Sequence, residues 1–381
     1  MNDNEYKKMF ARLTTIFFLA FICSMLCIFV LKKDASSSEV ENRELAQKPE
    51  FSLKNIENRN FADGYNSYIS DQFPLRNFFV SAKSELDMLC GRKESNGVFV
   101  GNDNYYIEKF TESGENDLKD KLKAINAFKE NNKSINMYCL VAPTSTEIYK
   151  DKLPKYADAG DESAYINNIK TGLSKNIKFI DIRESMKKNK NKYIYYKTDH
   201  HWTTKGAYLA YCDYCSKAAL KAEDEKDFEI KTVTDDFYGT LYSKALCGKA
   251  VPDSIKLYIP KKNDKVVVTY NDEKKKTATM YKSDALNQKN KYEVFTGGNH
   301  SLINIKTLSE SGKKLLVIKD SYANSFIPFL TSHYSSIDVI DLRYYMDDIQ
   351  SLIKSDGITD ILFLYNASTF NDDNSILNLE N

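Results

Sequence analysis

The sequence predicts an α/β protein: a mostly parallel sheet covered by helices on both faces, preceded by one N-terminal transmembrane helix. Two patterns carry that reading. From about residue 97 onward, short apolar runs with the length of buried strands alternate with segments of helical periodicity, the rhythm of βαβ units. Near the N-terminus, Leu13 to Leu31 is a run of nineteen residues without a charge, enough at 1.5 Å per residue to cross roughly 30 Å of hydrocarbon. Composition agrees, because 42% hydrophobic and 13% aromatic residues with only seven prolines in 381 supply a core and exclude a disordered linker. Lys plus Arg number 54 against 53 Asp plus Glu, so no strong field favours nucleic acid or an anionic surface. Tyr (26) and Phe (21) far outnumber the single Trp, a ring-rich composition that suits carbohydrate.

The apolar run is followed by Lys32, Lys33 and Asp34 rather than by a small-x-small cleavage site, so an uncleaved anchor is expected in place of a signal peptide. Lys7, Lys8 and Arg12 before the run and Lys32 and Lys33 after it place the N-terminus in the cytoplasm by a narrow margin of positive charge. A polar tether from Asp34 to about Glu44 comes next. Helical patterns follow over Leu53–Ile69 and Asn77–Leu89, broken at Asp71-Gln72-Phe73-Pro74.

Gly97 to Ile107 reads as a hairpin turning through Gly101-Asn102-Asp103-Asn104. Asp117–Asn131 is a helical pattern, Ile135–Val141 a strand, Tyr165–Leu173 a helix, Ile177–Ile182 a strand and Thr203–Leu220 a helix. A charged stretch from Lys221 to about Asn299 reads as an insertion in which Val266–Tyr270 and Tyr292–Phe295 look like β-hairpin material. Three buried strands follow, Lys314–Ile318, Ile337–Leu342 and Ile361–Tyr365, with helices between them. The expected division is therefore a cytoplasmic tail and anchor over 1–34, a tether and helical lead-in over 35–96, and a sheet domain over 97–381 with its insertion at about 221–299.

Of seven cysteines, Cys23 and Cys27 lie in the membrane run, and the five others are an odd number that cannot form a complete disulfide framework. Cys212 and Cys215 form a C-x-x-C on an Ala-rich helical stretch, with no second pair to complete a tetrahedral zinc site. Packing on the helix face is the expectation, and pairing of the two stays open.

In an open parallel sheet ligands bind at the carboxyl ends of strands. Leu315–Ile318 runs into Lys319-Asp320-Ser321, where a serine hydroxyl at a strand-to-helix turn is either a helix cap or a nucleophile. Two of the four histidines stand in Asp199-His200-His201-Trp202, a polar loop before a helix. Two residues apart in extended backbone, Asp199 and His201 would point the same way, the carboxylate bracing an imidazole offered to a nucleophile, while His200 points the other way and is structural. Metal binding and simple capping are the competing roles of this loop. Asn366, past Ile361–Tyr365, is either an oxyanion donor or a turn residue, and Arg343 occupies the equivalent tip between the other two, where a surface salt bridge is the expected role.

Taken together these residues resemble an SGNH hydrolase-like site whose segments occur in circularly permuted order, the Asp199/His201 loop preceding the serine strand. That order resembles the alginate O-acetyltransferase type of enzyme, and Asp199-His200-His201-Trp202 matches the signature of the DHHW family. Glu41-Asn42-Arg43-Glu44-Leu45, Ser70-Asp71-Gln72-Phe73-Pro74-Leu75-Arg76 and Asn96-Gly97-Val98 also look like that family, so the resemblance runs from about residue 39 to the end. It implies a single-pass, extracytoplasmic O-acetyltransferase acting on a cell-surface or secreted polysaccharide. Catalysis would fall to Ser321, His201 and Asp199, with Asn366, Arg343, Tyr322, Asn324 and Trp202 as oxyanion or substrate contacts. No cofactor or metal is implied. A multipass membrane acyltransferase is the implied partner and acyl source. An O-acetyl esterase of the same fold, or a non-catalytic polysaccharide-binding or assembly factor, are the alternatives. Two departures stand out: Lys319 replaces the glycine of the SGNH serine motif, and Asn366 lacks a Gly-x-Asn-Asp context.

Overall fold

The computed structural model describes residues 3–38, 41, 43–51, 60–262, 265–271 and 273–380. The chain divides into two compact units, Met1–Gly91 and Arg92–Asn381.

In the first unit, helix α1 (Asp3–Leu31) is long and apolar enough to cross a membrane. Leu13, Ile16, Phe17 and Phe18 on it are exposed, an apolar surface of the kind a bilayer covers. Helices α2 (Asn60–Gln72) and α3 (Arg76–Leu89) follow. Of the helix expected over Leu53–Ile69, residues 53–59 lie outside the described residues. The segment expected as a tether is tied down. Ser37–Ser38 pairs with Arg43–Glu44, and the Gln72 amide bonds the backbone of Ala35 and Ala46. Arg43 grips Asp71 through two hydrogen bonds of 2.8 and 2.6 Å, and Arg76 pairs with Glu41. The Arg43 bonds hold the Asp71 carboxyl down at about 2.

The second unit is built on an eight-stranded sheet. Its strands are β1 (Asn136–Ala142), β2 (Ile177–Phe179), β3 (Val267–Tyr270), β4 (Lys275–Thr277), β5 (Leu302–Lys306), β6 (Lys314–Lys319), β7 (Ser336–Ile340) and β8 (Asp360–Asn366). Their order across the sheet is β4-β3-β5-β7-β6-β8-β1-β2. From β7 to β2 all neighbours are parallel, and β5, β3 and β4 extend the other edge antiparallel. Val317 of β6 stands opposite Val339 on one side and Leu362 on the other, which sets the central register.

Alternate residues of these strands feed two cores, as the two-residue period of a strand requires. On one face Leu316, Ile318 and Phe363 pack with helices α4 (Glu115–Asn131) and α5 (Glu162–Gly172). The other face carries Leu315, Val317 and Leu362 against α6 (Thr204–Ala218), through Tyr211 and Tyr214. Helix α7 (Ile349–Asp356) joins the first core through Ile349 and Ile353.

The charged stretch departs most from expectation. Tyr292–Phe295 is not a hairpin strand: Lys291–Val294 forms a 3-10 turn whose Tyr292 and Val294 are buried. Phe228–Phe237 and Asp253–Pro260 instead form a long antiparallel pair, and β5 was not expected at all. Between β6 and β7 the chain makes two 3-10 turns, Ser321–Ser325 and Ile327–Leu330, with Pro328 in the second, rather than an α-helix.

Candidate active site

Ser321 follows β6 directly, and the residue before it builds its platform. The Asp320 carboxylate accepts from the Tyr322 N–H at 2.9 Å, the Asn366 N–H at 2.8 Å and the Asn366 side-chain amide at 2.6 Å. One buried carboxylate thus caps the Ser321 turn and joins the tips of β6 and β8. Burial lifts it to about 6 in spite of those bonds.

Asp199 and His201 stand on a loop that Asp253 clamps, accepting from the backbone of Lys197 and Thr198 at 2.8 Å each. The loop is bent rather than extended: the His201 N–H donates to Asp199 Oδ1 at 3.0 Å, folding the backbone so that the imidazole meets the same carboxylate, with Nδ1 2.5 Å from Oδ1. Oδ2 accepts from the Thr240 N–H at 2.9 Å and its hydroxyl at 3.1 Å. Gly239 makes this approach feasible, since a Cβ there would lie 2.6 Å from the Asp199 Cα. Across the ring, His201 Nε2 lies 2.7 Å from Ser321 Oγ.

Burial alone would push the Asp199 carboxyl up, but His201, His200 and the bonds to Oδ2 outweigh it and keep the carboxyl far below its ordinary range. Burial, assisted by His200 and opposed by Asp199, pulls His201 down to about 4. The resting pair is a carboxylate beside a neutral imidazole. Because the carboxylate only accepts, Nδ1 carries the ring proton, and Nε2 is left to accept from the Ser321 hydroxyl.

His200 does not point away, as an extended backbone would require. Its ring lies 3.9 Å from that of His201, its Nδ1 is 2.7 Å from Thr240 Oγ1, and it faces a cavity of about 540 Å³. Tyr322, Arg343, Asn366, Thr240 and Ser145 also line this cavity. Trp202 is fully buried, its indole N–H directed at the Tyr322 carbonyl and Ser325 Oγ, so it is a packing residue and not a substrate contact. Asn324 is buried away from the cavity with its amide toward the Gly298 carbonyl. Both amide protons of Asn366 are engaged, by Asp320 and Thr369, which favours its turn role over oxyanion donation. Arg343 is held by Asp341 through bonds of 2.8 and 2.6 Å. Lys319 is buried between Asn299 and Asp341, and burial lowers it to about 8.

Two residues that sequence reasoning missed touch the site, Thr240 on Asp199 and Tyr292 on His201. Both belong to the stretch read as an insertion, and no periodicity marks either. Asp199, His200 and His201 offer ligand atoms within 4.8 Å of one another. Both ring nitrogens of His201 are already directed, one at Asp199 and one at Ser321, an arrangement that suits a base better than a metal ligand. Cys212 and Cys215 are both free thiols, and Cys215 is buried near His333.

Against known families, the pattern described as DHHW protein matches residues 93–340. The chain belongs to the DHHW family. The match is narrower than the resemblance expected from about residue 39 to the end. A solved DHHW family protein from Eubacterium siraeum is 26% identical, with a TM-score of 0.63 over 76% of this chain and 96% of that one. Bacillus cereus PatB1, solved with a sulfonyl adduct, is 21% identical, with a TM-score of 0.62 over 73% and 97%. A more distant likeness, at 16% identity and a TM-score of 0.47 over 73% and 93%, is to the O-acetyltransferase domain of Pseudomonas putida AlgJ. Among curated protein sequences none matches. The DHHW protein thus has a mostly parallel sheet with helices on both faces, and its Asp-His-His-Trp loop precedes the strand that leads into Ser321.

Proposed function

We propose that this DHHW protein is a membrane-anchored, extracytoplasmic O-acetyltransferase that modifies a cell-surface or secreted polysaccharide through an acyl-serine intermediate. The observation that carries the reading is the unbroken hydrogen-bond series from Asp199 through His201 to Ser321, beside a cavity that the neighbouring His200 and Tyr322 line. His201 Nε2 takes the Ser321 proton as Oγ attacks the acyl carbonyl, and the imidazolium then protonates the leaving group. In the second step a sugar hydroxyl attacks the acyl carbon and gives its proton to His201, while the Oγ–C bond breaks and Ser321 recovers a proton. The Ser321 N–H, at the start of its turn, and Arg343, on the cavity wall, are the candidates for holding the oxyanion.

The acetyl group and the polymer acceptor rest on the resemblance of the Asp199–Trp202 motif and the permuted order to the alginate O-acetyltransferase type. A multipass membrane acyltransferase would bring the acyl group to a catalytic unit held outside by α1. The test is to treat the full-length protein with an activated acetyl ester. A burst of leaving group and an acetyl mass on the Ser321 peptide are expected. Equal release by wild type and Ser321→Ala, with neither labelled, would leave a binding or assembly role.

A further inference from the structure

His200 is outside the Asp199–His201–Ser321 series, yet its hydrogen bonds fix what it presents to the cavity. The Asp199 carboxylate can only accept, so the Thr240 hydroxyl spends its one proton on Oδ2 at 3.1 Å. Thr240 Oγ1 can then only accept from His200 Nδ1, 2.7 Å away. When uncharged, the His200 ring therefore carries its proton on Nδ1, which leaves Nε2 as a bare lone pair. Among the described residues no side chain or backbone group is bonded to that nitrogen. The ring is one-third exposed, lines the cavity and lies 3.9 Å from the ring of the base. Its place is also held from behind, because the Tyr322 hydroxyl donates to the His200 carbonyl.

We propose that His200 Nε2 accepts a hydrogen bond from a second hydroxyl of the acceptor, adjacent to the one being acylated, so that a vicinal diol is delivered to the acyl-serine in preference to water. The inference rests on the acyl-transfer reading above. A water molecule held at His200 gains nothing at the acyl carbon, whereas a sugar anchored there brings its neighbouring hydroxyl to His201. Attack forms the bond from the acceptor oxygen to the acyl carbon, breaks the Oγ–C bond, and passes the acceptor proton through His201 to Ser321. His200 gives up no proton and takes none.

The experiment uses full-length protein in detergent, 4-nitrophenyl acetate as donor, and a methyl hexopyranoside or its monodeoxy analogues as acceptor. Acetylated sugar and free acetate are measured together, and the ratio is taken within each variant so that a slower acylation cancels. For wild type, removing the neighbouring hydroxyl from the sugar should lower the transfer-to-hydrolysis ratio about tenfold, the worth of one hydrogen bond of ordinary strength. His200→Phe should lose that discrimination and hydrolyse both, and His200→Gln, which keeps an accepting oxygen, should recover part of it. Equal ratios for the diol and the deoxy sugar in wild type, or undiminished discrimination in a folded His200→Phe, overturn the inference while a normal burst leaves the acyl-transfer reading standing. A wild type with no burst brings both down.

Discussion

The His201 imidazole lies flat on the ring of Tyr292, their centroids 3.7 Å apart and their planes 13° from parallel. The Tyr292 hydroxyl in turn donates to the Ser321 carbonyl at 3.2 Å and lies within hydrogen-bond distance of Ser325 Oγ at 3.1 Å. A single side chain therefore braces the His201 ring by its face and the Ser321 turn by its edge. Tyr292→Phe keeps the face, and its acylation rate should fall by about tenfold or less, the cost of modest hydrogen bonds. Tyr292→Ala should cost about 3–5 kcal/mol of stability as a buried ring is lost and slow acylation further. Thermal melts and burst kinetics on the two variants check this, and equal rates would show that the stack does not hold the base.

Asp199→Asn should cut the acylation rate by about 10⁴-fold, because an amide in place of the carboxylate favours the wrong imidazole tautomer. The bonds from Thr240 can be kept by the amide oxygen, so the melting temperature should change far less than the rate. Single-turnover release of leaving group measures it. A loss under tenfold would remove Asp199 from the orienting role.

The pH profile of acylation should also differ from that of an ordinary histidine. Burial holds His201 at about 4, and only the neutral ring can take the Ser321 proton. The rate should therefore rise as pH increases through about 4 and stay level across neutrality, up to the onset of chemical hydrolysis of the ester. A limb centred near 6.5, the unperturbed value, would mean that the ring is solvated in the working enzyme.

Gly239→Ala should abolish acylation with Asp199, His201 and Ser321 all still present, because the new methyl collides with the Asp199 backbone and side chain. The expected result is loss of the acyl-serine mass together with a lowered melting temperature. Wild-type labelling in this variant would show that the Asp199 loop has slack that the described geometry lacks.

Chelation discriminates the remaining chemistry of the loop. If His201 serves as a base, exhaustive dialysis against EDTA should leave acylation and melting temperature unchanged. Loss of activity that returns with added zinc would instead assign Asp199, His200 and His201 as ligands.

The parallel half of the sheet was legible because its strands are buried on both faces and therefore read as continuous apolar runs, as in Leu315–Ile318 and Ile361–Tyr365. The antiparallel half was not, since Leu302–Lys306 alternates apolar and polar residues only briefly, and Phe228–Phe237 carries Glu229, Lys231, Asp235 and Asp236 on a solvated face. Ser321 was readable from its place just past a strand end, and Asp199 and His201 from their residue types in a polar loop before a helix. The bend at Asp199 was not, because it depends on the side chain bonding its own backbone. Thr240 and Tyr292 were invisible for a related reason: each acts through one long-range contact that leaves no pattern in the residues around it. Trp202, next to His201 in sequence, is core, fully buried under the Ser321 turn.

The strand order also dictates when the molecule can assemble. β1 has β8 and β2 as its neighbours, and β8 is its link to the centre of the sheet, yet more than two hundred residues separate β1 from β8 in the chain. During synthesis, therefore, β1 and β2 wait without their partner until residues 360–366 have been made, and the Asp320 clasp on Asn366 closes no earlier. A chain that stays open until its last strand arrives keeps the apolar faces of its early strands uncovered throughout synthesis. Stalled at residue 350, it should be cut readily by protease within 136–179, and release of β8 should bring resistance.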